Sequence, residues 1–301
     1  MLCLIQGVHF PWEKNMPEQC VFESKWGNKV RVIDATYRQA GRCSWPVRVY
    51  MPEKPGMFPA LLDVHGGAWS SGSCSDNESI DISLAASGIV VFAIECRKAP
   101  DYTYPAQVAD INYAARWIKT HGKDYNAEPQ FLGGLGTSSG GHGLFLCAMR
   151  PDDERYNEFK LKAKERAIAN FSYLIAAWPV LDPLGRYLFA QENNRDFLVR
   201  ATNSYFLHHN AMIEGNPLLA LEREEQLVLP PALIIQGTAD GNLPLDSLNR
   251  FATAYHAAGG DIEVEWFDDM PHGFACKPGT ESDRAVEIMT SYAIRQITKY
   301  Q

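Results

Sequence analysis

No stretch of the 301 residues approaches the roughly 20 consecutive apolar side chains that a membrane-crossing helix needs, so no membrane partner is expected. Lys and Arg nowhere form a run. With 28 basic against 36 acidic side chains the net charge is −8, which argues against nucleic acid, because binding a polyanion depends on clustered cations that displace counterions. No C-x-x-C pair occurs among the seven cysteines, at 3, 20, 43, 74, 96, 147 and 276, and their number is odd. They read as free thiols in a reducing compartment rather than as a disulfide framework. The opening MLCLIQGVHFPWEKN has only a brief apolar stretch with no basic residue ahead of it, so a signal peptide is not expected, and the reading is of a soluble, cytoplasmic protein. Repeats, biased segments and Pro- or Gly-rich linkers are lacking too, which removes arrays and separately folded units.

What remains is an ordinary globular composition, 46% hydrophobic and 21% charged, in a chain long enough for one large domain over 1–301. Near the N-terminus Val30, Val32 and Ala35, then Val47, Val49 and Met51, stand near-alternately among polar residues, as in two antiparallel strands with one wet face. Further on, Ala60–Val64, Ile89–Ile94, Phe131–Leu135, Tyr173–Trp178 and Ala232–Ile235 are short, nearly continuous apolar runs, the mark of strands buried on both faces. Helical stripes lie between and after them: Val108, Ile111, Ala115 and Ile118; Leu248, Phe251, Ala252 and Tyr255; and Val286, Met289, Ala293 and Ile297. Ile262, Val264 and Trp266 alternate as a last strand. This alternation predicts an α/β fold with a mostly parallel central sheet flanked by helices. The interval 181–229 breaks the rhythm, carrying Phe189, Phe197, Tyr205, Phe206 and Leu207 without a strand-like run, and is expected to form a lid insertion above the sheet. Residues 1–28 are aromatic-rich without periodicity and could join it.

Chemistry concentrates at strand ends. After Phe131–Leu135 comes Gly136-Thr137-Ser138-Ser139-Gly140-Gly141, a G-x-S-x-G between a strand and a helix beginning near His142. A turn that tight holds a serine strained and exposed above the sheet, at a helix N-terminus that favours negative charge. After Ala60–Val64 comes His65-Gly66-Gly67-Ala68-Trp69, where glycine lets backbone N–H groups approach an oxygen closely. The N–H groups of Gly67, Ala68 and Ser139 are the candidate oxyanion hole, and His65, Gly66 and Trp69 the candidate substrate-binding residues.

A serine hydroxyl needs a base, and of the eight histidines His272, just after the final strand, is best placed. His65 and His142 belong to the glycine motifs, His121 and His256 sit near helix ends, and His9 lies outside the core. His208-His209 reads as a surface pair, since no carboxylate stands at ligand spacing. The base needs an acid to fix its tautomer: Asp240, just past Ala232–Ile235, is the candidate, Asp182 its rival, and Asp246 a residue of the next helix's first turn. Such a triad cleaves an acyl bond through an acyl-enzyme and requires no metal or organic cofactor.

With these motifs the chain resembles the hormone-sensitive-lipase-like esterases of the α/β-hydrolase superfamily over most of residues 45–300, and to a lesser degree the aryl formamidases. Arg97-Lys98-Ala99-Pro100, Tyr104-Pro105-Ala106 and Asp110 look like the segment joining the fourth strand of that family to its helix. Two departures stand out: Ala68 where a third glycine is usual, and Thr137 where an acidic residue is usual. The resemblance implies a carboxylesterase acting on a small-molecule ester through Ser138, His272 and Asp240. The aromatic Trp69 keeps formamide or amide hydrolysis open, and a non-catalytic ligand-binding receptor on the same scaffold is the reading from another class. Acyl-chain preference and oligomeric state, a homodimer included, stay open at this level.

Overall fold

The computed structural model describes residues 20–23, 28–161 and 166–299. Its first strands are β1 (Cys20–Glu23), β2 (Lys29–Ala40) and β3 (Cys43–Pro52), an antiparallel meander in which Val30 faces Pro52 and Val32 faces Tyr50. The near-alternate spacing of valines in β2 and β3 is the pattern of this half-covered edge. β4 (Phe58–Val64) and β5 (Val90–Ile94) follow, joined through α1 (Glu78–Ala86). β5 inserts between β3 and β4, antiparallel to the first and parallel to the second.

From there each strand is followed by helix. α2 (Ala106–His121) leads to β6 (Ala127–Thr137), and α3 (Ser139–Met149) leads on to β7 (Tyr173–Ala177). After α4 (Pro183–Glu192), α5 (Asp196–Phe206), α6 (His209–Glu214) and α7 (Pro217–Glu222) the chain returns as β8 (Ala232–Gly237). α8 (Leu245–Ala257), β9 (Ile262–Phe267) and α9 (Thr280–Thr298) complete it. Among the described residues the sheet order is β1-β2-β3-β5-β4-β6-β7-β8-β9, parallel from β5 to β9.

The continuous apolar runs have their reason in the two cores. In β5, Val90, Phe92 and Ile94 point into a core shared with Val108 and Ile111 of α2 and Phe251 of α8. Val91 and Ala93 point the opposite way, into a core shared with Leu84 of α1 and Met289 of α9. A strand covered on both faces favours apolar side chains throughout, and burying the five of β5 removes them almost completely from water. Each large aliphatic or aromatic side chain so buried contributes about 1.5–3 kcal/mol.

Two expectations change here. Cys20–Glu23 extends the sheet edge by pairing with β2, so this part of 1–28 is not above the sheet, while residues 1–19 and 24–27 lie outside the described residues. Within 181–229, Leu218 and Leu221 of α7 pack into the core with α3 and α8, so this end of the interval belongs to the helical layer and not to a cover. Among the described residues no helix is long and apolar enough to cross a membrane.

Candidate active site

The turn between β6 and α3 places Ser138 at φ 52° and ψ −116°, a conformation that costs an L-residue on the order of 1–3 kcal/mol. The surroundings enforce it. A Cβ on Gly140 would overlap the carbonyls of Val64 and His65, and one on Gly136 would come within 2.8 Å of the Gly141 backbone. Ser138 N–H donates to Ala177 O at 3.0 Å and its carbonyl accepts from Val180 N–H at 3.1 Å, fixing the turn from both sides. α3 therefore starts at Ser139, three residues earlier than the motif suggested, because the turn leads straight into helix.

Ser138 Oγ lies 3.0 Å from His272 Nε2, and His272 Nδ1 lies 2.7 Å from Asp240 Oδ2. The structure thus brings together the three residues singled out from sequence. Asp240 is held by two further donors, Gln236 Nε2 at 2.9 Å and the backbone N–H of Asn242 at 2.8 Å. Burial alone would raise its carboxyl, but the hydrogen bond and electrostatic attraction of His272, with the hydrogen bonds from the Asn242 backbone and the Gln236 amide, outweigh burial and hold it below the usual carboxylate value. A charged Asp240 accepts from Nδ1–H, which leaves the Nε2 lone pair directed at the serine hydroxyl. Gln236 had no signal in the sequence, since a glutamine at a strand end acquires this part only from the strand's position.

The rival acid is committed elsewhere: Asp182 accepts from Gly185 N–H at the start of α4 and from Asn216 Nδ2, both at 2.8 Å. Asp246 sits in the first turn of α8. His208 caps α6 through Ala211 N–H.

Gly67, Ala68 and Trp69 all have positive φ, 109°, 51° and 61°. At Gly67 a side chain would run into the Ser71 carbonyl, so glycine is required. Ala68 tolerates its left-handed φ at a cost of roughly 1 kcal/mol, which a third glycine would avoid. The N–H groups of Gly67 and Ala68 have no hydrogen-bond partner among the described residues, and Ser139 opens α3, where no intrahelical acceptor exists. Gly66, Gly67 and Ala68 line a cavity of about 370 Å³ together with Ser138 and His272.

His65 and Trp69, expected at the substrate, do not line that cavity. Both are 1% exposed. The Trp69 indole stacks on Tyr205, packs edge-on against Phe206 and donates from Nε1 to His142 Nδ1 at 3.1 Å. The left-handed turn at Ala68 and Trp69 directs this side chain into the core instead of towards a ligand. His65 Nδ1 faces the Gly66 carbonyl, and burial depresses its pKa. Asn77, Asn242, Cys276 and Arg186 do line the cavity, and sequence patterns had not indicated them. The Asn77 amide is fixed by the Asp63 carboxylate at 2.9 Å and 3.1 Å, and its carbonyl accepts from Thr137, the residue that replaces the usual acidic one at the elbow.

Comparisons with known proteins bear on the family and the fold. Carboxylesterase NlhH of Mycobacterium tuberculosis is 28% identical over 254 residues, 82% of this chain and 76% of its own. Esterase LipC of the same organism is 26% identical over 69% of this chain. Of three mycobacterial relatives, LipC among them, the chain spans only 24%, 50% and 60% of the length. Esterase B from Lactobacillus rhamnosis superposes with a TM-score of 0.74 at 21% identity, covering 89% of this chain and 88% of that one. This is a likeness of fold, and the fold is that of the α/β-hydrolases. The BD-FAE family model matches residues 47–254, more than half the chain, from within β3 through β8 and most of α8, so the chain belongs to the BD-FAE family.

Proposed function

We propose that the protein hydrolyses small carboxylic esters through an acyl-enzyme on Ser138. The observation that carries this reading is the unbroken line of hydrogen bonds from Ser138 Oγ through His272 to Asp240, at 3.0 Å and 2.7 Å. His272 Nε2 takes the proton as Oγ attacks the carbonyl carbon, and the N–H groups of Gly67, Ala68 and Ser139 receive the oxyanion. Collapse expels the alcohol, which takes the proton back from His272. Water, deprotonated by the same nitrogen, then attacks the acyl group and frees Ser138 as the acid leaves.

The cavity of about 370 Å³ is near the lower end of ligand pockets, which supports a compact ester. Arg186 of α4 and Phe197 and Leu198 of α5 form one wall, so these two helices are the part of 181–229 that serves as a lid. Most relatives carry the names of carboxylic ester hydrolases and esterases, which favours an ester, while an arylacetamide deacetylase of Oryctolagus cuniculus, 26% identical over 59% of this chain, keeps amide cleavage as the second reading. The formamide reading rested on Trp69, whose indole is buried against Tyr205, and so loses its support. Free thiols at Cys43, Cys74, Cys96, Cys147 and Cys276 support placing the protein in the cytoplasm.

The test is hydrolysis of p-nitrophenyl esters graded in acyl length by the wild type and by Ser138→Ala. Turnover of short esters by the wild type, reduced by about three orders of magnitude or more in the variant, is expected. Equal rates in the two proteins contradict the reading.

A further inference from the structure

We propose that Arg186 makes an anion subsite in the cavity that holds Ser138, and that the preferred esters carry a carboxylate on the part that meets α4 and α5. The inference rests on the hydrolase reading of Ser138 and goes beyond it to the class of substrate.

Arg186 is 2% exposed yet lines the cavity, and it forms no ion pair among the described residues. Its Nη1 donates to Thr202 Oγ1 at 3.1 Å, and the Thr202 hydroxyl in turn donates to the Leu198 carbonyl at 2.7 Å. Nε is enclosed without a partner, and Nη2 has no hydrogen bond to any described residue. The guanidinium carbon sits 5.1 Å from the Trp69 ring centroid, a contact that orients the plane but satisfies no N–H. The charge that bears on it most is Asp240, whose oxygens are already taken by His272, Gln236 and Asn242.

A buried guanidinium with one of five donors used is expensive to keep, because its lost hydration is not replaced. Burial lowers its pKa only to about 10, so it stays charged at neutral pH. Buried Arg of this kind is normally matched to a carboxylate, which its planar fork binds through two parallel hydrogen bonds. The chain supplies none at this wall, so the matching group comes with the ligand.

A second cation lies near this wall, outside the lining itself. Arg195 Nη2 is 2.9 Å from where a Cβ on Gly241 would be, beside Asn242 of the cavity lining, and Arg195 makes no ion pair among the described residues. The acidic member of the lining, Asp76, belongs to the wall built from the loop after β4, where Ser73 Oγ donates to it at 2.9 Å. The two walls thus differ in sign, which directs an anionic ligand to the α4–α5 side. Phe197 and Leu198 beside Arg186 supply the apolar surface for the carbon chain between carboxylate and ester.

The experiment compares kcat/KM for pairs of equal shape that differ in charge. On the acyl side these are p-nitrophenyl hydrogen adipate and p-nitrophenyl 6-oxoheptanoate. On the alcohol side they are 4-acetoxybenzoate and 4-acetoxyacetophenone. The wild type is expected to prefer the carboxylate in one pair by about tenfold or more, Arg186→Met to lower that ratio by about tenfold, and Arg186→Lys to lower it less. Both members are read on one preparation, so the folded fraction cancels from the ratio. A wild-type ratio at or below one in both pairs overturns the subsite, as does a ratio unchanged in Arg186→Met, while turnover of the neutral esters leaves the hydrolase reading intact. A protein inert towards all four esters overturns both together.

Discussion

The backbone N–H of Trp69 donates to the hydroxyl of Ser139 at 3.1 Å. This one hydrogen bond ties the loop after β4 to the first residue of α3, so the two sources of oxyanion donors are held against each other. Ser139→Ala keeps the Ser139 N–H but leaves the buried Trp69 N–H unpaired, at a cost of about 1–3 kcal/mol. We expect kcat to fall by roughly tenfold with KM little changed, because the loss is felt where negative charge develops. Steady-state kinetics of the variant checks this, and an unaltered kcat contradicts it.

The assignment of the acid separates two aspartates. Asp240→Asn is expected to lower kcat by about 10³–10⁴, because the amide cannot hold His272 in the tautomer that accepts the serine proton. Asp182→Asn changes a cap at the start of α4, so it is expected to cost up to about 1 kcal/mol of stability and to leave kcat within a few-fold. Activity assays paired with thermal melts distinguish the outcomes, and a larger loss of kcat in Asp182→Asn reverses the assignment.

His142 gives a pH signature independent of catalysis. Its Nδ1 accepts from the Trp69 indole, so Nε2–H donates to Gly215 O at 2.7 Å, and burial drives its pKa down to about 4. The unfolded chain takes up a proton near pH 6.5 and the folded one does not, so this site loses stability as pH falls from about 6.5 towards 4. Buried carboxyls act in the opposite sense: burial raises Asp63 to about 7 and Asp110 to about 6, so their contribution falls as pH rises from about 4 through those values. Comparing the wild type with His142→Gln isolates the histidine. Between pH 6.5 and 5 the wild type is expected to lose about 1.5 kcal/mol more than the variant. Parallel stability curves contradict the assignment.

How much of this was legible varied with the physics of each element. β5 was readable because both faces are buried, which leaves an apolar run with no interruption. Ser138, His272 and Asp240 were readable because an elbow, a base and an acid need particular residue types in a particular chain order. α1 was not: it buries Asp81, with both oxygens unpartnered among the described residues, so its apolar stripe is broken by a carboxyl whose pKa burial raises well above the usual value. Trp69 was placed at the substrate because it adjoins the oxyanion loop, but the left-handed φ that sends its ring into the core is not encoded in residue type. Arg186 and Gln236 acquire their parts from elements distant in sequence, and no local pattern marks them.

The most direct measurement is intact-protein and peptide mass spectrometry after treatment with a fluorophosphonate. One adduct is predicted, on the peptide containing Ser138, absent in Ser138→Ala and strongly slowed in His272→Ala. No adduct on the wild type, or one that persists unchanged in Ser138→Ala, contradicts the account.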